Sequence, residues 1–325
     1  MRCAALSDLG VAFDGRSPVR DLLEQARAAE AAGAGSLWVA SHLFLRDPVS
    51  SAALVLGATA RARVVLMAVS PYTMHPVQAA MTAATLAEAF PGRVALCYGV
   101  GVPGDLAAAG LTPARPVTTL REALELTRAL LAGAPVRYRG EVFRAEGRAL
   151  AAARPVPLYL AAAGPQTLAL AGRAADGVVI SAGTSVPFVG WALARARAAA
   201  AGRPLARIGL VYARVGACGA EAREGTRRTL AVVLRSRHHG QNVALGASGL
   251  DQAALAAAVA AEDWRAATAL VTDEVVARHA AAGTADEVRR RLAAYRDAGL
   301  DEIVLAGLGD PEDIRRALAA AKEEG

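Results

Sequence analysis

Lysine is nearly missing from this chain: Lys322 is the single one, so arginine supplies the rest of the 36 cationic side chains. Schiff-base chemistry needs a desolvated lysine at a strand end, and a lone lysine in the last helical segment does not provide it. Aromatic residues make up only 4% of the 325 positions, too few to interleave stacking platforms with basic groups. The net charge of +6 comes from scattered arginines that often neighbour carboxylates, as at Arg20-Asp21 and Arg121-Glu122. These read as solvated helix faces, and no nucleic-acid partner is expected. Cysteine is scarce too. Cys3, Cys97 and Cys218 are odd in number, far apart and without metal-ligand spacing, which fits a reducing compartment. No apolar run reaches the roughly 20 residues of a membrane span. MRCAALSDLG has neither the basic start nor the long apolar middle of a signal peptide, so no membrane partner and a cytoplasmic location are expected. The five histidines form no H-x-H pair, and paired carboxylates are missing from strand ends. Metal-dependent hydrolysis and glycoside hydrolysis are thereby set aside, and no metal site is expected.

Apolar material is plentiful, at 54% of residues and a mean hydropathy of +0.31. It falls into strand-length runs at Cys3–Leu6, Leu37–Ala40, Val64–Val69, Val94–Tyr98, Val156–Leu160, Val178–Ile180, Ile208–Val215 and Glu302–Ala306. Helix-period segments separate them, opened by Ser17-Pro18, Asp47-Pro48, His75-Pro76 and Asp310-Pro311, with candidate capping boxes at Thr119-x-x-Glu122 and Thr284-x-x-Glu287. Residues 134–154 have hairpin character, with arms Val136–Tyr138 and Val142-Phe143. An Ala-rich helical insertion spans about 236–283, and its His238-His239 and Gln241-Asn242 either enter the pocket as a lid or sit in solvent, the second being the expectation. Strands alternating with helices imply a parallel sheet, and eight units imply one (β/α)8 TIM barrel over 1–325. No G-x-G-x-x-G opens a helix after the first strand, so a Rossmann dinucleotide site is unsupported.

The stretch from Pro155 to Ser181 is the most informative. A strand stops at Ala161-Ala162-Ala163-Gly164, Pro165 takes the first helical position, and Asp176-Gly177 turns the chain into the next strand. Small residues there serve either a tight strand-to-helix packing turn or an anion held by the helix N–H groups. In a barrel, chemistry sits at the strand C-terminal ends. Those ends carry Ser7-Asp8, Ser41-His42, Ser70, Gly99 to Asp105, Ala162 to Pro165, Ser181 and Arg214. A mouth so poor in charge suits a flat, largely apolar cofactor that brings its own reactivity.

LWVASHLFLRDP (37–48), VSPYTMHP (69–76), GRVALCYGVGVPGD (92–105), LREALELTRALLAG (120–133), PLYLAAAGPQTLALAGRAADGVVIS (157–181) and the segment 272–305 resemble the bacterial-luciferase-like superfamily. The deazaflavin-dependent branch typified by methylenetetrahydromethanopterin reductase is the most similar. The resemblance implies a TIM barrel that binds coenzyme F-420 or FMN, acts on a small molecule and forms a homodimer. It implies His42 beside the reactive ring, with Ser41 where the family often has an acid. It implies a non-prolyl cis peptide at Met67-Ala68, Ser70 beside the ring, and close backbone approach at Gly99 and Gly101. Ala163, Gly164, Pro165 and Gln166 match the phosphate-binding turn, and Ser181 lines the same mouth. The glutamate that sugar-phosphate dehydrogenase members place near Val102 is missing. Three functions are implied: hydride transfer with the deazaflavin, monooxygenation with FMN, or flavin binding without turnover.

Overall fold

Eight parallel strands close on themselves into a barrel. The structure, a computed structural model, describes residues 8–322. The strands in chain order are β1 (Leu9–Phe13), β2 (Ser36–Ala40), β3 (Arg63–Val69), β4 (Val94–Tyr98), β5 (Val136–Arg139), β6 (Arg144–Arg148), β7 (Leu158–Ala161), β8 (Gly177–Ile180), β9 (Ala206–Val215), β10 (Ala281–Gly283) and β11 (Glu302–Ala306). Around the barrel the order is β11-β1-β2-β3-β4-β7-β8-β9, and β9 pairs with both β8 and β11 to complete the ring. β5 and β6 form a separate antiparallel hairpin, and β10 pairs beyond the barrel with the end of β9.

Burial on both faces explains why β2, β4 and β11 read as unbroken apolar runs. Alternate side chains divide into two cores. Trp38, Val65, Cys97, Tyr159, Val179, Ile208 and Val304 fill the barrel interior. Leu37, Val64, Leu66, Leu96 and Leu160 face outward against the helices. At the N-terminal ends, the buried Arg63 Nη2 donates to Glu302 Oε2 at 2.7 Å, and Trp38 Nε1 donates to Ser36 Oγ at 2.8 Å. Ser36 Oγ in turn donates to Glu302 Oε1. This buried ion pair plugs the barrel bottom, with Arg63 Nε left without a hydrogen-bond partner, so losing either charge would strand the other.

Four expectations need correction. The run Cys3–Leu6 lies outside the described residues, and the first barrel strand is β1, Leu9–Phe13. The strand end therefore presents Asp14; Asp8 precedes the strand, and Ser7 lies outside the described residues. In the hairpin the second arm is Arg144–Arg148, and Val142-Phe143 belong to the turn. The Glu122 carboxylate explains this, because it accepts the backbone N–H groups of Glu141, Val142 and Phe143 at 2.8, 2.9 and 3.0 Å. Glu122 is thus a hairpin anchor and not a capping-box residue, and its helix begins earlier, at Pro116. By contrast, Thr284 and Glu287 form the expected capping box. Lastly, the insertion is helical as expected (240–246, 252–260, 264–270 and 273–279), and His238 and Gln241 are exposed, but Asn242 is fully buried and His239 half-buried.

Candidate active site at the barrel mouth

The mouth is built where β2, β3 and β4 end. Met67-Ala68 is a non-prolyl cis peptide, at the position the sequence implied. It coincides with a break in the β3–β4 register between Leu66 and Val69. The Ser41 N–H donates to the Met67 carbonyl at 2.6 Å, which ties the end of β2 to this bulge. Gly99 faces it across the ladder. A Cβ at position 99 would lie 2.7 Å from the Ala68 Cβ, closer than real atoms approach, so only glycine fits. Gly101 has φ of +100°, a conformation that side chains rarely adopt. Ser70 is buried, and its hydroxyl donates to the Val100 carbonyl at 2.6 Å while accepting the Tyr72 N–H at 3.3 Å. Its role here is to hold the Gly99–Gly101 loop against β3. Ser41, Met67, Ala68, Ser70, Gly99 and Gly101 thus form one contiguous patch.

His42 follows directly and is half-buried. Burial holds its imidazole below the usual histidine range, and the negative charges of Asp105 and Asp14 only partly oppose this. Two carboxylates from elsewhere in the chain, Asp14 after β1 and Asp105 in the helix Pro103–Ala108, thus act on the imidazole through charge. Asp14 is in turn held by Arg16, with Nη1 to Oδ2 at 3.0 Å and the Arg16 N–H to Oδ1 at 2.9 Å. Sequence reading missed Asp14 because the first strand was placed too early. Two-residue alternation from Gly10 and Ala12 carries to Asp14 and is the signal that would have found it.

The turn after β7 has the form of an anion cradle. Gly164 caps the helix Pro165–Ala174 in extended backbone, with no side-chain cap hydrogen bond. Gly164, Pro165 and Gln166 are exposed and Ala163 is half-buried. A Cβ on Gly164 would meet nothing nearer than the Thr167 Oγ1 at 3.8 Å, so the space over the helix N-terminus is open. The first-turn N–H groups, including those of Gln166 and Thr167, have no partner within the helix. The Ala162 N–H donates to the Val179 carbonyl, which fixes the turn against β8, and Ser181 lies exposed just beyond.

The β8 side of the mouth is anchored by a buried polar network. Asn242 Nδ2 donates to the Gly183 carbonyl at 2.8 Å, and the Ser185 N–H donates to Asn242 Oδ1 at 2.7 Å. The His279 Nδ1 lies 3.1 Å from the Gly183 carbonyl and its Nε2 lies 3.2 Å from Ser248 Oγ. Asn242 Nδ2 also approaches His239 Nδ1 at 3.2 Å. One arrangement satisfies every group: His279 protonated on Nδ1, and His239 accepting on Nδ1. Burial pushes both histidines down to about 4. Among the described residues no group of three or more metal-ligating side chains converges.

A closed parallel barrel with an open, charge-poor mouth and a bare helix N-terminus defines a (β/α)8 protein built to hold a flat, anion-bearing cofactor. The family model for luciferase-like monooxygenases matches residues 4–302, and the chain belongs to that family. It is similar to the 5,10-methylenetetrahydromethanopterin reductase of Methanolobus tindarius, 29% identical over 323 residues that cover 97% of this chain and 98% of the relative. Its fold superposes on the coenzyme F-420-dependent tetrahydromethanopterin reductase of Methanopyrus kandleri with a TM-score of 0.84 at 21% identity, covering 96% and 97% of the two chains. A monooxygenase from Streptomyces bottropensis superposes with a TM-score of 0.71 at 22% identity, covering 97% of each.

Proposed function

We propose that this chain is an oxidoreductase that uses coenzyme F-420 to move hydride to or from a small organic molecule. The carrying observation is the pairing of the open Gly164 helix N-terminus with the Gly99–Ala68 bulge. The first suits a phosphate, and the second leaves room for a flat ring against backbone. Ala163, Gly164, Pro165 and Gln166 would hold the phosphate, while Met67, Ala68, Gly99 and Gly101 would form the ring's bed. Ser181 would line the far wall. The deazaflavin, when bound, supplies the hydride-carrying ring. His42 stays neutral at pH 7 because burial lowers its affinity for a proton, and it can accept or donate a hydrogen bond at the ring. The negative charges of Asp14 and Asp105 stabilise any positive charge it gains.

A homodimer and a cytoplasmic location belong to the same reading. Leu54 and Met81 support the dimer: they lie 45% and 54% exposed on the helices Pro48–Ala58 and Pro76–Ala89, which together carry a single charged residue, Glu88. The buried free thiol of Cys97 is consistent with a reducing compartment. FMN-dependent monooxygenation is the second reading, favoured by the family match itself. Fluorescence titration with the oxidised deazaflavin and with FMN separates the two. Tight deazaflavin binding with anaerobic oxidation of its reduced form by a methylene-tetrahydropterin would support the first. Preference for FMN with oxygen uptake would replace it by the second, and binding of neither would overturn both.

A further inference from the structure

Tyr212 is an aromatic side chain that the inward face of β9 carries to the mouth, packed between the barrel interior and the helices of the insertion. It lies on β9 in register with Ala306 of β11. Alternation along β9 sends Ala206, Ile208 and Leu210 into the barrel interior, and Tyr212 packs above them. Gly307 makes room for its ring, and Gly183 lies in contact distance on the other side. A Cβ at Gly307 would lie 2.9 Å from Tyr212 Cδ1, and one at Gly183 would lie 3.8 Å from Cε2. Gly307 ends β11 and Gly183 is the carbonyl pinned by Asn242 and His279, so both sides of the ring slot are rigid. Among the described residues the phenol makes no hydrogen bond, and the side chain is only part-buried. Burial pushes the phenol up to about 12, with Asp14 adding to the shift and Arg16 opposing it. Asp14 acts in the same way on His42. One carboxylate at the end of β1 is thus within electrostatic reach of both the imidazole and the phenol.

We propose that Tyr212 is a cofactor-binding residue whose phenol donates a hydrogen bond to the polar edge of a flavin-type ring. The inference deepens the deazaflavin reading and rests on it. Asp14, acceptor-only, already engages Arg16, so the phenol is a donor still open on this side of the mouth. The rigid slot means that the ring of Tyr212 is set before the cofactor arrives, so little ordering cost falls on binding.

Tyr212→Phe keeps the ring's shape and removes the donor alone. The wild type and this variant are titrated with oxidised deazaflavin and with FMN, and thermal melting is followed in parallel. For the cofactor that the wild type binds, the variant's Kd is expected to rise about fivefold, the loss of one neutral hydrogen bond. The bound cofactor should also become brighter, because a phenol quenches an excited flavin by electron donation and a phenyl ring does not. The melting temperature should stay unchanged, because the hydroxyl has no hydrogen bond in the fold to lose; a fall would place the hydroxyl's role in the structure instead. Only movement of both affinity and brightness supports the inference; any other result with a wild type that binds overturns it. A wild type that binds neither cofactor overturns the deazaflavin reading itself, and the wild-type titration alone identifies that failure.

Discussion

At position 164 a glycine stands where helices usually carry Ser, Thr, Asp or Asn. Nothing about the backbone demands it, since φ is −86° and a Cβ would meet open space. What glycine leaves behind is a set of first-turn N–H groups that no side chain competes for. Gly164→Asp tests this directly. An aspartate there would cap the helix and hold or raise stability by a few tenths of a kcal/mol. The same carboxylate would sit against an incoming phosphate and lower cofactor affinity by at least 100-fold. Melting temperature and a fluorescence titration measure the two effects separately. Unchanged affinity would move the phosphate site elsewhere.

Among the elements, the β3–β4 pair has the least freedom. The bulge at Met67-Ala68 pushes the Ala68 methyl into the ladder, and Gly99 yields the space. Gly99→Ala places a methyl 2.7 Å from that methyl, with a second at Ala161 only 3.5 Å away. Both neighbours are strand residues without a flexible end to swing aside, so overpacking should cost about 1–3 kcal/mol. Denaturant unfolding should show that loss together with weaker cofactor binding. Much at this scale was legible in the sequence. β4 and β11 fall where their apolar runs end, and Asp47, His75 and Asp310 each cap a helix through the side chain. What was not legible involved partners distant in sequence. Thr119-x-x-Glu122 has the spacing of a capping box, yet Glu122 is drawn to three N–H groups some 20 residues on. Local spacing carries no record of that competition.

Over the whole molecule, eightfold strand–helix alternation made the barrel readable, because each unit repeats the same local pattern. His42 and Asp105 were readable at the mouth as well, but Asp14 was not, because the strand that carries it begins later than its apolar run suggested. Nor was the anchoring of the insertion: Asn242, His239 and His279 look like polar residues in Ala-rich helices until Gly183 and Ser185 meet them. That network makes stability depend on pH. Burial keeps His239 and His279 near 4 in the native state, against about 6.5 when unfolded. Between those values the unfolded chain binds more protons, so stability falls as pH drops below 6.5 and is level above it. The fully buried His279 alone should cost about 2 kcal/mol by pH 5. His239 adds to the slope, and Arg278 and Arg291 make a charged His279 worse still. Melting curves from pH 8 to pH 4.5 should therefore be flat at first and then decline. His279→Gln should be less stable at pH 7, having lost the Gly183 contact, but should decline less steeply in acid. A decline equally steep in the variant would place the acid-sensitive groups outside this network.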